Sequence, residues 1–239
     1  MARLTLEVIA TSVEDAVEAA RGGAHRLEVV RDLSVGGLTP SIDLVRHIQQ
    51  AVSVPLRVMV RESAGFTCDS SDELRALTDQ VMTLEALGVD GIVVGWTRNR
   101  GIDEGALARV LEAGPSLRAT FHRAFDALAE PEAALAGLRR HRQIDRVLTG
   151  AGTGAWTSRC AELRRYARCA GAGLVILPGG GIDTAALGAL ARCDGITEAH
   201  VGRAARVGRS IEGRVSADAV RALRRAAGWD AVDSSNRTQ

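Results

Sequence analysis

The sequence predicts a single (β/α)8 barrel of the TIM type over residues 1–228, followed by a polar C-terminal tail over residues 229–239. Three observations predict this fold. Eight short apolar runs alternate with segments of helical periodicity. The runs start about 30 residues apart, which is the length of one strand, helix and crossover. The chain of 239 residues is also close to the usual barrel size of about 250 residues.

The eight predicted strands are short and mostly apolar. They are residues 4–9, 26–30, 56–60, 91–94, 117–121, 146–148, 174–177 and 199–201. A doubly wound open sheet is the structural rival. Such sheets bind dinucleotides through a GxGxxG turn, whereas Gly150, Gly152 and Gly154 give only GxGxG. The barrel is therefore the preferred fold.

Capping residues mark the predicted helices between these strands. Ser12 precedes an apolar pattern of helical spacing that stops at Gly22-Gly23. Ser70 and Glu73 form a capping box before the third helix. Ser216 is placed to begin the last helix. These helices therefore each have a local signal for at least one of their ends.

Composition excludes several classes of function. Thirty basic and 29 acidic residues leave a formal charge of +1, so no partnership with nucleic acid or a membrane surface is expected. The chain has no lysine, which removes Schiff-base chemistry and the P-loop. The four cysteines form no CxxC pair, and neither a signal peptide nor an apolar span of about 20 residues occurs. A reduced, cytoplasmic protein is expected.

The predicted barrel interior carries many charges, because alternation along each strand points polar side chains inward. A lower layer would contain Arg26, Arg57, Arg118 and Glu198. An upper layer would contain Glu7, Glu28, Arg61, His122 and His200. Buried charges have to be paired, so the lower layer is predicted to be an ionic network. The upper layer lies at the carboxyl ends of the strands, where barrels of this type place their active sites.

The upper layer and the residues after the fifth strand predict an acid–base site. The catalytic candidates are Glu28, His122, Arg61 and Asp126. Carboxylate and imidazole groups exchange protons near neutral pH when burial tunes their pKa values. The alternative is an ion-pair network that only fills the barrel. The position at the rim favours a function.

Glycines after the seventh and eighth strands predict an anion-binding end of the same site. The substrate-binding candidates are Glu7, Arg123, His200, Gly179, Gly180, Gly181, Gly202 and Arg203. Backbone N–H groups at such turns hold a phosphate in many barrels, and Arg203 or Arg206 would supply a guanidinium fork. The same glycines equally fit tight turns alone, and the sequence leaves both interpretations open.

A metal site is a further possibility. Oxygen and nitrogen ligands suited to Mn, Mg or Zn come from Glu7, Glu28, His122 and His200. Copper(I) prefers sulfur, for which Cys68 and Met59 are the candidates near the rim. No short-spaced ligand motif supports a metal, so the ion-pair interpretation of these residues is favoured.

Six stretches carry a resemblance that covers nearly the whole barrel. They are LE at 6–7, RLE at 26–28, GGLTPS at 36–41, FHRAFD at 121–126, VLTG at 147–150 and EAH at 198–200. GGLTPS and FHRAFD are specific, and the chain resembles the CutC copper-homeostasis family through them. The resemblance implies a cytoplasmic TIM-type barrel, a homo-oligomer, and copper binding.

The chain departs from this family at cysteine positions. Ile9 and Val30 stand where members often carry cysteine, and Cys68 falls at a third such position. Two functions therefore stay open. One is a copper-binding homeostasis protein, as the resemblance implies. The other is an isomerase, epimerase or lyase that acts on a small anionic or phosphorylated sugar-like molecule. In it, Glu28 and His122 would exchange protons, with polarisation by Arg61 or a divalent metal.

Overall fold

The computed structural model describes residues 3–229, and these form the predicted barrel of eight parallel strands and eight helices. In chain order the elements are β1 Thr5–Ala10, α1 Val13–Gly22, β2 Arg26–Val29, α2 Ile42–Ala51, β3 Leu56–Met59, α3 Ser71–Leu87, β4 Gly91–Val94, β5 Thr97–Arg98, β6 Gly101–Ile102, α4 Glu104–Glu112, β7 Arg118–Phe121, α5 Pro131–Leu138, β8 Ile144–Thr149, α6 Trp156–Ala170, β9 Val175–Pro178, α7 Thr184–Leu190, β10 Glu198–Val201 and α8 Ala217–Ala226. No helix in this part of the chain is long and apolar enough to cross a bilayer.

The strands follow one another around the sheet in the order β10-β1-β2-β3-β4-β7-β8-β9. A parallel bridge joins Gly179, the residue after β9, to His200 in β10. Because β9 and β10 are the two ends of the strand order, this bridge closes the barrel. Strand register also places Glu7 beside His200 on one side and beside Arg26 on the other. The fold thus brings together three charged residues that are far apart in the chain.

All eight predicted strands are present, and two further short strands were not predicted. Strands β5 and β6 form a small antiparallel hairpin after β4. Its two turn residues, Asn99 and Arg100, have φ values of 52° and 60°. Positive φ at both central positions is the geometry of a tight hairpin turn, which is hard to predict here because neither residue is glycine.

The predicted serine caps are present, and of the predicted capping box the contact made by Ser70 is the one observed. The hydroxyl groups of Ser12, Ser70 and Ser216 each accept a hydrogen bond from a backbone N–H of the first helical turn. Gly23 ends α1 with φ of 87°, a left-handed conformation that suits glycine. Trp229, predicted to start the tail, donates its indole N–H to the carbonyl oxygen of Leu4. The rest of the predicted tail, residues 230–239, lies outside the described residues.

Two apolar clusters fill the part of the molecule that the structure describes. The larger one lies between the sheet and the helices. It includes Leu4, just before β1, and the outward-facing Leu6 and Val8 of β1, and all three are fully buried. The smaller one lies apart from it and contains Ile9, Val30, Met59 and Val93. Ile9 and Val30, where the resemblance implies cysteine, therefore belong to a separate apolar cluster, with Leu33 packed against it.

The lower layer is an ionic network, and its membership is wider than predicted, because Asp90, Asp145 and Arg146 also belong to it. Arg26 pairs with Glu7 and, at 2.6 Å, with Glu198. Arg57 donates to Asp90 at 2.7 Å and to Asp145 at 2.8 Å, and Arg146 donates to Glu198 at 2.8 Å. These contacts satisfy charges that burial would otherwise penalise.

The prediction that Arg118 belongs to this layer is wrong. Arg118 is the first residue of β7, and two thirds of its side chain is exposed. Its guanidinium reaches only to 3.6 Å from Asp145. The strand pairing shifts register between Ala119 and Thr120, which sets Arg146 of β8 opposite Thr120. The side chain of Arg146 is 17% exposed and pairs with Glu198, so it is a member of the interior network that the prediction did not include.

Candidate active site

A cavity of about 660 Å³ opens at the carboxyl ends of the strands. Ten predicted site residues line it, namely Glu28, Arg61, His122, Arg123, Asp126, Gly180, Gly181, His200, Gly202 and Arg203. Its apolar wall includes Ile9, Leu33, Met59, Phe66 and Leu148. Three predicted residues lie outside the lining: Glu7 contacts His200, Gly179 lies against the His200 ring, and Cys68 is buried in the loop after β3.

Three buried side chains form a chain of contacts at one wall of this cavity. Nδ1 of His200 lies 2.7 Å from Oε1 of Glu7, and Nε2 lies 3.7 Å from Oε2 of Glu28. The second oxygen of Glu7 accepts from Arg26. Burial by itself would raise the pKa of Glu7, but Arg26 and His200 hold it well below its usual range. Glu7 is thus a permanent carboxylate, and we assign the Nδ1 proton of His200 to its side.

Glu28 has the electrostatics of a proton carrier. The residue is 3% exposed, and burial raises its pKa to about 7 even though His200 opposes the shift. Its Oε1 atom has no hydrogen-bond partner among the described residues. The pKa of His200 is also raised, because Glu28 and Glu7 outweigh the effect of burial. The two side chains therefore compete for a proton near neutral pH, which is the property required of a general acid or base.

His122 is arranged differently from His200. Its Nδ1 atom accepts a hydrogen bond of 3.1 Å from the backbone N–H of Ala124 and so caps the turn Arg123–Ala127. A neutral imidazole with an accepting Nδ1 carries its proton on Nε2, and this buried atom has no partner within residues 3–229. Burial and the nearby charge of Arg61 lower the pKa of His122 to about 3. This geometry suits a neutral hydrogen-bond donor better than the proton exchange with Glu28 that the sequence suggested.

Arg61 joins two loops at the cavity rim. Its Nε donates to the carbonyl oxygen of Ser63 at 2.7 Å, and Nη2 donates to those of Val35 at 2.9 Å and Ala64 at 2.8 Å. The guanidinium lies 5.2 Å from the ring centre of Phe66. Its charge also contributes to the lowered pKa of the neighbouring imidazole. Arg61 thus shapes the rim and sets its electrostatics.

Asp126 holds Arg123 and the loop after β8. Its carboxylate accepts from Thr149 Oγ1 at 2.6 Å, from the Gly150 N–H at 3.0 Å and from Arg123 Nε at 2.8 Å. With its oxygens engaged, Asp126 is better placed to position Arg123 than to transfer protons. Thr149 and Gly150 are not among the predicted site residues. The signal for them is the VLTG stretch, which ends in a hydroxyl and a glycine where a strand ends.

The glycine-rich end of the cavity faces Arg123. Gly180 and Gly181 have φ values of 99° and 73°, which a side chain would strain. A Cβ atom on Gly180 would lie 3.1 Å from Nη1 of Arg123. Among the described residues, the N–H groups of both glycines have no backbone acceptor. Gly202 and the exposed Arg203 also line the cavity.

Arg206 is not part of that end, contrary to one alternative from the sequence. It is 4% exposed and pairs with Asp15 at 2.9 Å. Its guanidinium also donates to the carbonyl oxygens of Gly213 and Ile9. With its guanidinium engaged in these contacts, Arg206 is a structural link between the loop after β10 and helix α1 and does not serve as a fork for a ligand.

The cavity offers few metal ligands. Glu7, Glu28 and His200 form the one group of three candidate ligands found within residues 3–229. Glu7 is already bound by Arg26 and His200, and His122 presents a protonated nitrogen. The ligands that remain are the carboxylate of Glu28 and Nε2 of His200. Two protein ligands hold a divalent cation weakly at most, and its other coordination positions would need ligands from solvent or substrate.

Copper(I) fits the cavity poorly. No thiol of the described residues belongs to its lining, where the thioether of Met59 is the sole sulfur. Ile9 and Val30, where the resemblance implies cysteine, are hydrocarbon side chains. Because Cu(I) selects thiolate and thioether ligands, the residues present do not build a cuprous cage here.

Comparisons with known proteins agree with this fold and place the chain in a family. The model of the CutC family matches residues 4–205. The human copper homeostasis protein cutC homolog is 35% identical over 196 residues, which cover 82% of this chain and 71% of that protein. A CutC family protein of Mesorhizobium japonicum is also 35% identical over 82% of this chain and 76% of its own.

A solved structure of a putative copper homeostasis protein CutC from Streptococcus agalactiae superposes with a TM-score of 0.76 at 23% identity. The superposition covers 83% of this chain and 98% of that one, which shows a shared fold. A family match over most of the barrel and relatives above 30% identity lead to one assignment. The chain belongs to the CutC copper homeostasis family.

Proposed function

We propose that this protein is an acid–base enzyme that acts on a small anionic molecule, of a phosphorylated or sugar-like kind, in the barrel mouth. The observation that carries the proposal is the contact of 3.7 Å between Glu28 and Nε2 of His200. Burial raises the pKa of Glu28 to about 7, so its carboxyl group is able both to take and to give a proton at neutral pH.

The cavity divides the catalytic work among three side chains. Glu28 takes a proton from a substrate carbon or hydroxyl group. His200, oriented by the fixed charge of Glu7, receives or supplies that proton through Nε2. His122 donates its Nε2 hydrogen to a substrate oxygen on which negative charge develops, a role that a neutral imidazole fills when its pKa is lowered. Isomerisation, epimerisation and elimination all use this set of steps.

Support for an anionic substrate comes from the other end of the cavity. Arg123 is half exposed and is held by Asp126, while Gly180 and Gly181 turn their backbone beside it. Exposed guanidinium and backbone N–H groups bind phosphate or carboxylate oxygens through charge-assisted hydrogen bonds. Arg203 also lines the cavity. The substrate would place its anionic group here and its reacting carbon near Glu28.

Solvent exchange tests this function even though the product is not identified. The protein is incubated in D₂O with a panel of sugar phosphates and hydroxy acids, and deuterium incorporation is followed by NMR. We expect exchange into at least one compound, abolition of exchange by Glu28→Gln, and retention of binding in that variant. Arg123→Ala should weaken binding by about tenfold or more, the size expected for a lost charge-assisted hydrogen bond. Exchange that survives Glu28→Gln would refute the assignment of the base.

Copper binding is the second candidate, supported by the names of the relatives. A competition titration with a Cu(I) chelator tests it, and loss of all copper to micromolar chelator would reject it. We further propose a cytoplasmic location, which four free cysteines in the described residues support. We also propose homo-oligomerisation, which sedimentation velocity would test.

A further inference from the structure

The barrel mouth has an apolar half opposite its anion-binding half. The smaller apolar cluster faces inward from the ends of four successive strands, β1 to β4, and consists of Ile9, Val30, Met59 and Val93. Arg123 and the turn at Gly180 and Gly181 come instead from the loops after β7 and β9, on the other side of the ring. A molecule that spans the mouth therefore meets hydrocarbon at one end and positive charge at the other.

The apolar half adjoins the proposed base. Strand register sets Ile9 of β1 directly beside Glu28 of β2. Val30 follows Glu28 by two residues, so the two side chains point to the same side of the sheet. Both apolar side chains are buried. The carboxyl group of Glu28 is therefore bordered by hydrocarbon on its own strand and on the neighbouring one, in keeping with its unpartnered Oε1 atom among the described residues.

The same apolar surface continues to the rim of the cavity. Leu33 packs against the cluster and lines the cavity together with Ile9 and Met59. Four large hydrophobic side chains are exposed within residues 3–229, and two of them, Val35 and Ile211, also line the cavity. These two belong to different loops, after β2 and after β10. Apolar side chains that converge on one cavity from separate loops mark a ligand-binding surface.

From this arrangement we infer that the substrate carries an alkyl or aryl group next to the carbon at which Glu28 acts. The inference rests on the proposed function and narrows its substrate from sugar-like molecules in general to amphiphilic anions. The cavity of about 660 Å³ has room for such a group, because sites for drug-sized ligands measure about 300–1,000 Å³. Hydroxyl groups of a polyol would lose water in the apolar half without gaining hydrogen-bond partners, which opposes their binding.

Calorimetric titration of the whole protein with phosphate esters tests this inference. The series runs from inorganic phosphate through methyl, ethyl, propyl and butyl phosphate, and glycerol 3-phosphate is the polyol that matches the propyl ester in length. We expect the affinity to rise by about fourfold for each methylene group that leaves water. Propyl phosphate should bind about tenfold or more tightly than glycerol 3-phosphate. The heat-capacity change of binding should become more negative along the series.

Matched variants test whether the gain comes from the apolar half. Ile9→Thr and Ile9→Val differ by a hydroxyl group in place of a methyl group, and both keep the branched shape that suits a strand. The gain per methylene group should fall below about twofold in Ile9→Thr and persist in Ile9→Val. Val207→Thr, at an exposed side chain outside the cavity lining, is the control and should leave the gain unchanged.

Two further variants keep the test interpretable. Leu33→Asn removes apolar surface from a partly buried loop residue and replaces Ile9→Thr if circular dichroism shows that the latter is unfolded. It should reduce the gain per methylene group in the same way. Arg123→Ala should weaken inorganic phosphate and every ester by a similar factor, because all of them share the anionic group, and should keep the gain per methylene group.

The outcomes separate this inference from the proposed function. Equal affinities along the ester series, or tighter binding of glycerol 3-phosphate than of propyl phosphate, would overturn the apolar subsite and leave the acid–base enzyme in place. An undiminished gain in both Ile9→Thr and Leu33→Asn would also overturn it. Absence of phosphate binding, or binding that Arg123→Ala does not weaken, would refute the anion-binding half and this inference with it.

Discussion

Nε2 of His200 lies 3.7 Å from Oε2 of Glu28, and both side chains are buried at the wall of the barrel mouth. A distance just beyond a hydrogen bond leaves room for a small movement that closes the contact when a ligand enters. Each group changes the affinity of the other for a proton, so the pair titrates as a unit. The chemistry proposed for this protein depends on that coupling.

The first prediction concerns Glu28→Gln. Burial lowers the pKa of His200, but the carboxylates of Glu28 and Glu7 raise it by more, so the pKa lies above its ordinary value. Removing the charge of Glu28 should therefore lower the pKa of His200. An NMR titration of the His200 ring measures this shift, with Asp43→Asn, an exposed carboxylate paired to Arg46, as the control. An unchanged His200 titration would contradict the coupling.

The second prediction concerns Glu7→Gln. This change removes the carboxylate that Arg26 and His200 share, so that Arg26 keeps only Glu198 as a partner, and we expect the free energy of unfolding to fall by about 3–5 kcal/mol at pH 7. The folded pKa of Glu7 is depressed below its ordinary 4.5. Its stabilisation is therefore present above pH 4.5 and is lost as the pH falls towards the folded pKa. Urea unfolding at about pH 7 and about pH 4 should show a smaller difference between variant and parent at the lower pH. Equal differences would be inconsistent with this linkage.

The third prediction concerns the protonation of His122. With Nδ1 accepting from Ala124 and a pKa lowered to about 3, the ring should stay neutral, with its proton on Nε2, from about pH 4 upward. Nitrogen NMR measures the tautomer directly. The unfolded histidine takes up a proton near pH 6.5 and the folded one does not, so stability falls as the pH drops from 6.5 towards the folded pKa. His122→Gln should reduce that loss. A His122 titration near its ordinary pKa of 6.5 would show that the ring is not held as described.

The fourth prediction compares two glycines. A Cβ atom on Gly95 would lie 2.6 Å from Nδ1 of His122, whereas one on Gly188, within α7, meets no atom within 4 Å. Gly95→Ala should displace the imidazole and cost about 1–3 kcal/mol through overpacking. Gly188→Ala should stabilise the helix by up to about 1 kcal/mol. Thermal unfolding with NMR of His122 measures both effects. If the His122 ring is undisturbed in Gly95→Ala, the backbone around Gly95 is able to move away from the imidazole, and the prediction is wrong.

Local sequence patterns predicted most of the architecture. Strand alternation, helix periodicity and the serine caps are properties of neighbouring residues, so eight strands and their helices were readable without a structure. In a (β/α)8 barrel the carboxyl ends of all strands meet at one mouth. Glu28, His122 and His200 lie at or near such strand ends, so the sequence placed them together there. The GGLTPS and FHRAFD stretches carried the family resemblance in the same way.

Contacts between distant parts of the chain decided the rest. Arg118 of β7 lies largely exposed, whereas Arg146 of β8 pairs with Glu198 in the lower layer. His122 and His200 look alike in sequence, but Nδ1 of His200 faces the carboxylate of Glu7, whereas Nδ1 of His122 accepts from a backbone N–H. The pKa of His200 is therefore raised and that of His122 is lowered. A side chain's protonation depends on desolvation and on charges a few ångströms away, and the sequence does not encode those distances locally. The sequence thus determined which groups reach the mouth, and the tertiary structure determined what each of them is able to do there.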